Sequence, residues 1–187
     1  MTEDKGMYRT VRFSQTTITE LMIPSYANFG GKIHGGILLS LMDKVAFVCA
    51  SKHSSGYCVT VSVDTVDFLQ PIEVGELVAV IATVHYVGNS SMVIGIKIVA
   101  ENVYTSTVRH TNTSYFTMVS KDQSDKLKKV PGLILETKEE VKNFMDALKR
   151  KQMKDFYKSE LQKIHEAQIT EESISEILID ERCLISH

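Results

Sequence analysis

The residues best suited to chemistry lie close together in residues 28–43, NFGGKIHGGILLSLMD. Four glycines fall within seven residues, and the last two, Gly35 and Gly36, precede an apolar segment that contains a single carboxylate, Asp43. Glycine lets a ligand approach the backbone, and the free N–H groups of a first helical turn can bind an anion or polarise a carbonyl oxygen. A carboxylate among apolar residues requires a partner, a raised pKa or a catalytic task.

Each of these residues also has a purely structural interpretation. The glycines can simply turn the chain, and Asp43 can form a salt bridge with a lysine or arginine. Asn28 can close a turn, and His34 can act as a base or cap a helix. The six histidines show no metal-binding spacing, so no metal is expected.

One apolar helix and a run of strands would position these residues. Eleven of the fourteen residues from 37 to 50 are apolar and cover every side of a helical wheel, which predicts a helix buried all round. Strand-like segments rich in Val, Ile, Thr and Tyr occupy residues 8–13, 57–64, 65–70, 77–87, 91–102 and 105–120. Short turns at 88–90 and 102–104 and a wider loop at 71–75 predict antiparallel neighbours, hence an α+β fold in which a long sheet wraps a central helix.

The C-terminal part of the chain has a different composition. Fourteen of the thirty residues from 137 to 166 are charged, with apolar residues at helical spacing, which predicts a long surface helix. The sequence therefore predicts two regions, a main domain at 1–133 and a charged helical extension at 134–187. Residues 171–187 either continue the helix or pair with a partner subunit.

Composition narrows the function classes. The 187 residues carry a formal charge of -2, so no general attraction to nucleic acid or to an anionic membrane is expected. Three widely spaced cysteines form neither a zinc motif nor a disulfide framework, and no secretory or membrane segment is evident. These features predict a cytoplasmic protein.

Several motifs in order resemble the hotdog-fold acyl-CoA thioesterases. They are Asn28, His34-Gly35-Gly36, Asp43, and residues 63–68 (VDTVDF), 88–92 (GNSSM) and 115–119 (YFTMV). The resemblance extends from residue 7 to about residue 154 and is closest to the cytosolic acyl-CoA hydrolase branch, in a single-repeat form. It implies hydrolysis of acyl-CoA to a fatty acid and coenzyme A, with no cofactor beyond the coenzyme A of the substrate and product.

The resemblance also assigns roles. Asp43 would be a general base or a nucleophile, Asn28 would orient water or the carbonyl, and the Gly35 and Gly36 amides beside His34 would polarise the thioester. Further substrate-binding candidates along the coenzyme A path are Asn89, Ser90, Ser91 and Arg109, supplemented by Lys121 or Lys126.

The family pairs two hotdog units so that their sheets join, and it often stacks three dimers into a hexamer. In fused relatives one repeat supplies the Asn and the other the Asp, whereas this chain has both. The resemblance thus implies a homodimer with two shared sites. Two alternatives are a non-catalytic acyl-CoA sensor, although no helix-turn-helix pattern precedes the fold, and a hotdog dehydratase, which would normally use a His with an Asp or Glu.

Overall fold

The computed structural model describes residues 7–166 and Arg182. The chain forms two compact units, one ending at Leu148 and the other beginning at Lys149. The domain boundary at residue 133 stays a prediction. Cys183 and the interpretation of residues 171–187 lie outside the described residues, apart from Arg182, which is exposed.

The first unit contains a six-stranded antiparallel sheet and a two-stranded parallel sheet. The small sheet pairs β1 (Tyr8–Thr10) with β8 (Gly132–Ile134). The large sheet contains β2 (Thr16–Leu21), β3 (Tyr57–Val63), β4 (Asp67–Phe68), β5 (Leu77–Val87), β6 (Ser91–Asn102) and β7 (Thr107–Lys121). Its order is β2-β5-β6-β7-β3, and β4 pairs with β7 beyond the end of β3. Register shifts after Thr60, Val84 and Ile98 mark irregularities that bend strands.

The sheet wraps the helix α2 (Gly35–Ser54), as the sequence predicted. Inward positions of β5 and β6 alternate as Val78, Val80, Ala82, Val84 and Ile94, Ile96, Ile98, all at most 1% exposed. They pack in one core with the helix residues Leu38, Leu41, Met42, Val45, Ala46 and Cys49. Burial of this continuous apolar surface is the main force that holds the helix in the sheet.

The prediction that this helix is buried all round is wrong for the single chain. Leu39, Phe47 and Val48 are 38%, 39% and 37% exposed, and Asp43 and Lys44 are also exposed. Apolar residues on every side of a helical wheel do not show whether each face packs against the sheet of the same chain or stays exposed to another molecule.

The N-terminal segment also departs from the prediction. Residues 8–13 do not form one strand, because the chain turns after Thr10 into a short helix, α1 (Val11–Ser14), whose first turn is capped by the Thr10 hydroxyl accepting from Phe13 N at 3.3 Å. The following strand β2 (TTITEL) was missed, since its alternation of polar and apolar residues is weak. The predicted strand at 65–70 is reduced to the two residues of β4.

The predicted C-terminal helix is α3 (Lys138–Glu166). Thr137 and Glu140 cap its start reciprocally, since Glu140 N donates to the Thr137 hydroxyl and Thr137 N donates to the Glu140 carboxylate, each at 3.1 Å. Within the first unit its Phe144 ring contacts Tyr86. Among the described residues, no helix combines the length and the apolar content needed to cross a membrane.

Candidate active site

The glycine loop is held closed by Asn28. Its Oδ1 atom accepts from Gly30 N at 2.9 Å and Lys32 N at 3.2 Å, and its own N–H donates to the Lys32 carbonyl at 2.7 Å. Gly31 adopts a φ of +76°, which favours glycine. The turn-closing interpretation of Asn28 is therefore observed, yet its side-chain NH2 group has no hydrogen-bond partner in residues 7–166. That group can still donate to a ligand.

The start of α2 has one backbone N–H group available to a ligand, whereas the sequence predicted two. His34 caps the helix, and its Nδ1 accepts from Gly36 N at 2.9 Å. This engagement argues against the predicted role of the Gly36 amide, whereas Gly35 N has no partner among the described residues. A Cβ at Gly35 would come within 3.1 Å of the Phe68 ring, and one at Gly36 within 3.0 Å of the His34 ring. A side chain at either position would therefore require the neighbouring ring to shift by a few tenths of an ångström.

Asp43 lies in the third turn of α2 and is held by a threonine. Thr60 of β3 donates its hydroxyl hydrogen to Asp43 Oδ1 at 2.6 Å, and the same hydroxyl lies 3.2 Å from Met118 Sδ. The alternative of a salt bridge is not observed, because no cation pairs with Asp43 within the described part of the chain. The carboxylate is thereby oriented but not neutralised.

A cleft of about 440 Å³ lies beside this pair. Besides Asp43 and Thr60, its walls are largely apolar and include Phe47, Val48, Tyr57 and Met118. Thr60 was not predicted, since a threonine on a strand is ordinary and nothing in its neighbours singles it out. Only the packing of β3 against α2 reveals it.

Asn28 and Asp43 are not linked within one chain. They belong to different elements and share no hydrogen bond, and Asp43 lies eight residues into the helix, about 12 Å along its axis. The loop therefore presents amide donors, and the helix presents a carboxylate held by Thr60, as two separate groups.

The coenzyme A candidates occupy opposite ends of the sheet. Asn89, Ser90 and Ser91 form and flank the tight turn between β5 and β6, and Ser91 pairs with Val119 near the end of β7. Arg109 pairs with Ala100 at the other end of β7, ten residues away or about 33 Å. One chain therefore does not bring Arg109 to the turn.

Arg109 is also already engaged. Its guanidinium donates to both carboxylate oxygens of Glu76, at 2.6 and 2.8 Å, and to the Pro71 carbonyl at 2.6 Å. Glu76 is buried, so this bidentate pair anchors the loop before β5 to the start of β7. Of the supplementary lysines, Lys121 pairs with Asp125 at 2.7 Å, and Lys126 is exposed.

The described residues contain no group of three or more His, Cys, Asp or Glu side chains placed to hold a metal ion.

One helix wrapped by a curled antiparallel sheet, with a glycine loop before the helix and a carboxylate within it, defines the hotdog class of folds. Residues 30–107 match the family model of the thioesterase superfamily. The chain is 43% identical over 134 residues to protein VdlD of Helicobacter pylori, covering 72% of this chain and 76% of that protein. It is 34% identical over 137 residues to the mouse cytosolic acyl coenzyme A thioester hydrolase, covering 72% of this chain but 36% of that longer protein.

Solved structures of acyl-CoA hydrolases and thioesterases are similar to this chain. The acyl-CoA hydrolase of Staphylococcus aureus, in complex with butyryl coenzyme A, coenzyme A and coenzyme A disulfide, is 30% identical, covers 85% of this chain and 97% of that one, and has a TM-score of 0.78. An apo-hexameric acyl-CoA thioesterase is 33% identical with the same TM-score, covering 80% and 96%. Further structures of the S. aureus enzyme carry alanine in place of an aspartate, an asparagine or a threonine. The chain thus belongs to the hotdog-fold acyl-CoA thioesterase family.

Proposed function

We propose that this protein hydrolyses acyl-CoA thioesters to a free fatty acid and coenzyme A. The observation that carries the proposal is the Asp43 carboxylate, which has no cation partner in the described chain, is oriented by Thr60 and opens into a largely apolar cleft. An ionised carboxylate aimed at a cleft can take a proton from water. Family membership supplies the substrate class.

The reaction needs one proton acceptor and one set of oxyanion donors. Asp43 takes a proton from water as the water oxygen attacks the thioester carbon, and the carbonyl oxygen gains the negative charge. Gly35 N–H and the Asn28 NH2 group stabilise that oxygen or orient the water. When the carbon–sulfur bond breaks, the proton passes from Asp43 to the departing coenzyme A sulfur.

A second route uses the same carboxylate as a nucleophile, through a short-lived anhydride. A single turnover in ¹⁸O-labelled water tests for this route, because label appears in Asp43 only if an anhydride has formed. Direct water attack puts the label only in the fatty acid. An anhydride opened by water at the Asp43 carbon instead leaves the label in Asp43 and passes an unlabelled enzyme oxygen to the product.

A second copy of the chain is proposed to complete each site. The exposed face of α2 contains Leu39, Phe47 and Val48, and the adjacent β3 is an edge strand with Tyr57, Val61 and Val63 also exposed. An unpaired edge strand beside an apolar helix face fits pairing with an identical edge. The homodimer would place the Asn28 loop of one chain beside Asp43 of the other, and three such dimers would form a hexamer like that of the hexameric homologue. The cytosolic relative favours the cytosol as the location.

The test is a panel of acyl-CoAs of increasing chain length, with free thiol measured by a colorimetric thiol reagent. We expect thiol release with at least one member. Burial raises the pKa of the Cys49 thiol to about 12, so this thiol contributes little background at neutral pH. A pure, folded protein that binds acyl-CoA but releases no thiol would refute the proposal and favour a sensor; loss of water from a hydroxyacyl-CoA would favour a dehydratase.

A further inference from the structure

Among the residues that the structure describes, Glu76 is the only buried carboxylate, with 4% of its surface exposed. It directly precedes β5 and does not line the cleft beside Asp43, so the proposed chemistry makes no use of it. A buried carboxylate destabilises the fold unless its oxygens are paired. Its partners therefore show what Glu76 holds in place.

The Glu76 side chain fixes the conformation of residues 71–76 (the 71–76 segment). Arg109 donates to both carboxylate oxygens, at 2.6 and 2.8 Å, and Glu73 N donates to Oε2 at 2.8 Å. The same guanidinium donates to the Pro71 carbonyl at 2.6 Å. The segment is thus closed from Glu73 to Glu76 and is tied at Pro71 to the start of β7.

The 71–76 segment lies against the glycine loop. Ile33 N donates to the Ile72 carbonyl at 2.9 Å, and both side chains are buried. Next to them, the Lys32 ammonium group pairs with the Glu73 carboxylate, and the two residues form an antiparallel β-bridge. Lys32 and Ile33 are therefore placed by the segment that Glu76 holds.

Lys32 and Ile33 lie between the two proposed hydrogen-bond donors of the loop. Lys32 N donates to Asn28 Oδ1 at 3.2 Å, and the Lys32 carbonyl accepts from Asn28 N at 2.7 Å. Ile33 directly precedes His34, the cap of α2, and Gly35 follows as its first residue. A shift of the 71–76 segment would move both donors relative to the thioester, and a misplacement of about 1 Å can lower a rate about 10²-fold.

We infer that Glu76 and Arg109 are positioning residues for the reaction, which act through the 71–76 segment on the Asn28 side-chain amide and the Gly35 N–H group. The inference rests on the proposed acyl-CoA hydrolysis and extends it to two residues outside the cleft beside Asp43. A buried ion pair is weak evidence for stability, because well-packed apolar residues can often replace it. Apolar residues cannot replace the geometry of a guanidinium that joins a carboxylate to a backbone carbonyl.

The first test is the kinetics of Glu76→Gln, which keeps the side-chain volume and replaces one acceptor oxygen by a donor. We expect kcat for an acyl-CoA to fall about 10²-fold with KM within about twofold of wild type, because misplaced oxyanion donors affect the transition state more than the bound substrate. Arg109→Lys keeps the charge but loses the two-pronged contact, and should lower kcat about tenfold. The matched control is Asp125→Asn, which breaks the Lys121–Asp125 pair at the other end of β7 and should leave kcat unchanged.

A second variant separates an effect on the loop donors from a general loss of activity. In an Asn28→Ala background, Glu76→Gln should lower the remaining kcat by about tenfold or less, against about 10²-fold in wild type, because one of the donors that it misplaces is already absent. If Glu76→Gln does not fold, Arg109→Lys takes its place, and its loss should shrink in the same way. Losses that multiply in full, or an unchanged kcat in the folded Glu76 variant, would overturn the inference.

Hydrogen exchange measured by mass spectrometry gives a readout that does not depend on activity. Peptides that cover residues 28–35 should exchange faster in Glu76→Gln than in wild type or Asp125→Asn. Equal exchange in these peptides would overturn the inference while leaving the hydrolase intact. If wild type releases no thiol from any acyl-CoA, the proposed function fails, and the exchange rates still decide whether Glu76 holds the glycine loop.

Discussion

At the scale of single residues, the chemistry depends on how one carboxylate is held. Asp43 is exposed in the single chain yet oriented by the Thr60 hydroxyl. A carboxylate that accepts from one donor retains lone pairs for water. The neighbouring Lys44 does not pair with it, because adjacent helix positions point in different directions.

Asp43→Asn is expected to lower kcat by about 10² to 10⁴, the range for a lost general base, with a smaller effect on KM. The isosteric amide keeps the volume, so the circular dichroism spectrum and melting temperature should stay close to those of wild type. Unchanged turnover in the folded variant would remove Asp43 from the mechanism.

Thr60→Val keeps the shape of the threonine and removes its hydroxyl. The hydrogen bond to Asp43 is lost, and kcat should fall about tenfold or more. Thr60→Ser retains the hydroxyl and should keep most of the activity, which makes it the matched control. Full activity in Thr60→Val, or a larger loss in Thr60→Ser than in Thr60→Val, would show that the hydrogen bond from the hydroxyl is not what the reaction requires.

The sequence singled out some of these residues clearly and left the roles of others undecided. Asn28 and Asp43 stand out by residue type, one in a glycine loop and one in an apolar helix. The His34 cap on Gly36 N was left open, because capping and catalysis both suit a histidine at that position. The role of Arg109 stays a prediction, since a strand arginine gives no sign of whether it faces a ligand, and in this chain it pairs with the buried Glu76.

At the scale of elements, the end of α2 joins three segments through a buried histidine. His53 Nε2 donates to the Pro131 carbonyl just before β8, and its Nδ1 accepts from the Ser14 hydroxyl at the end of α1, both at 3.2 Å. Arg9 of β1 donates to the carbonyls of Lys52 and His53, each at 2.7 Å. These bonds tie both small strands to the helix.

Burial lowers the pKa of His53 below its usual 6.5, and the nearby Arg9 charge acts in the same direction, against the Pro131 hydrogen bond. The unfolded chain therefore binds a proton at this position before the folded chain does. The stability that neutral His53 contributes is complete above pH 6.5 and is lost as the pH falls from 6.5 towards the lowered value.

Melting temperatures between pH 7.5 and 5 test this directly. Wild type should lose stability through that range more steeply than His53→Gln, whose amide keeps a donor but does not titrate. If the melting temperatures of both proteins fall equally with pH, groups other than His53 determine the loss of stability in acid.

The central helix and long hairpins were predictable because their signals are local: apolar runs, β-branched residues and short polar turns. The parallel pairing of β1 with β8 was not, since it joins residues more than 120 positions apart through only three register pairs. The exposed face of α2 was not predicted for a similar reason. The spacing of apolar residues in a helix does not say whether the sheet of the same chain covers each face.

At the scale of the whole molecule, the open helix face and the edge strand β3 favour a site shared between two copies. If Asn28 serves Asp43 of the other chain, Asn28→Ala and Asp43→Asn homodimers should each be nearly inactive. A mixed dimer has both lesions in one site and leaves the other intact. Random reassortment makes about half the dimers mixed, so about a quarter of wild-type activity should return.

Native mass spectrometry of chains with distinct masses confirms reassortment, and thiol release is measured on the same sample. Activity that stays at the level of the parent variants, despite mixed dimers, would place Asn28 and Asp43 in one site of a single chain. A mixture of each variant with wild type controls for nonspecific gain.

Within residues 7–166 one edge of β3 is left unpaired, and this edge also matters before any substrate is met. A newly synthesised chain carries Tyr57, Val61 and Val63 along that edge next to Phe47 and Val48 of the helix, a combination that invites strand addition between unrelated chains. The lone subunit is therefore the species most prone to aggregate. The proposed homodimer would cover this edge, so the yield of assembled protein would depend on how quickly identical chains associate relative to chaperone capture and precipitation.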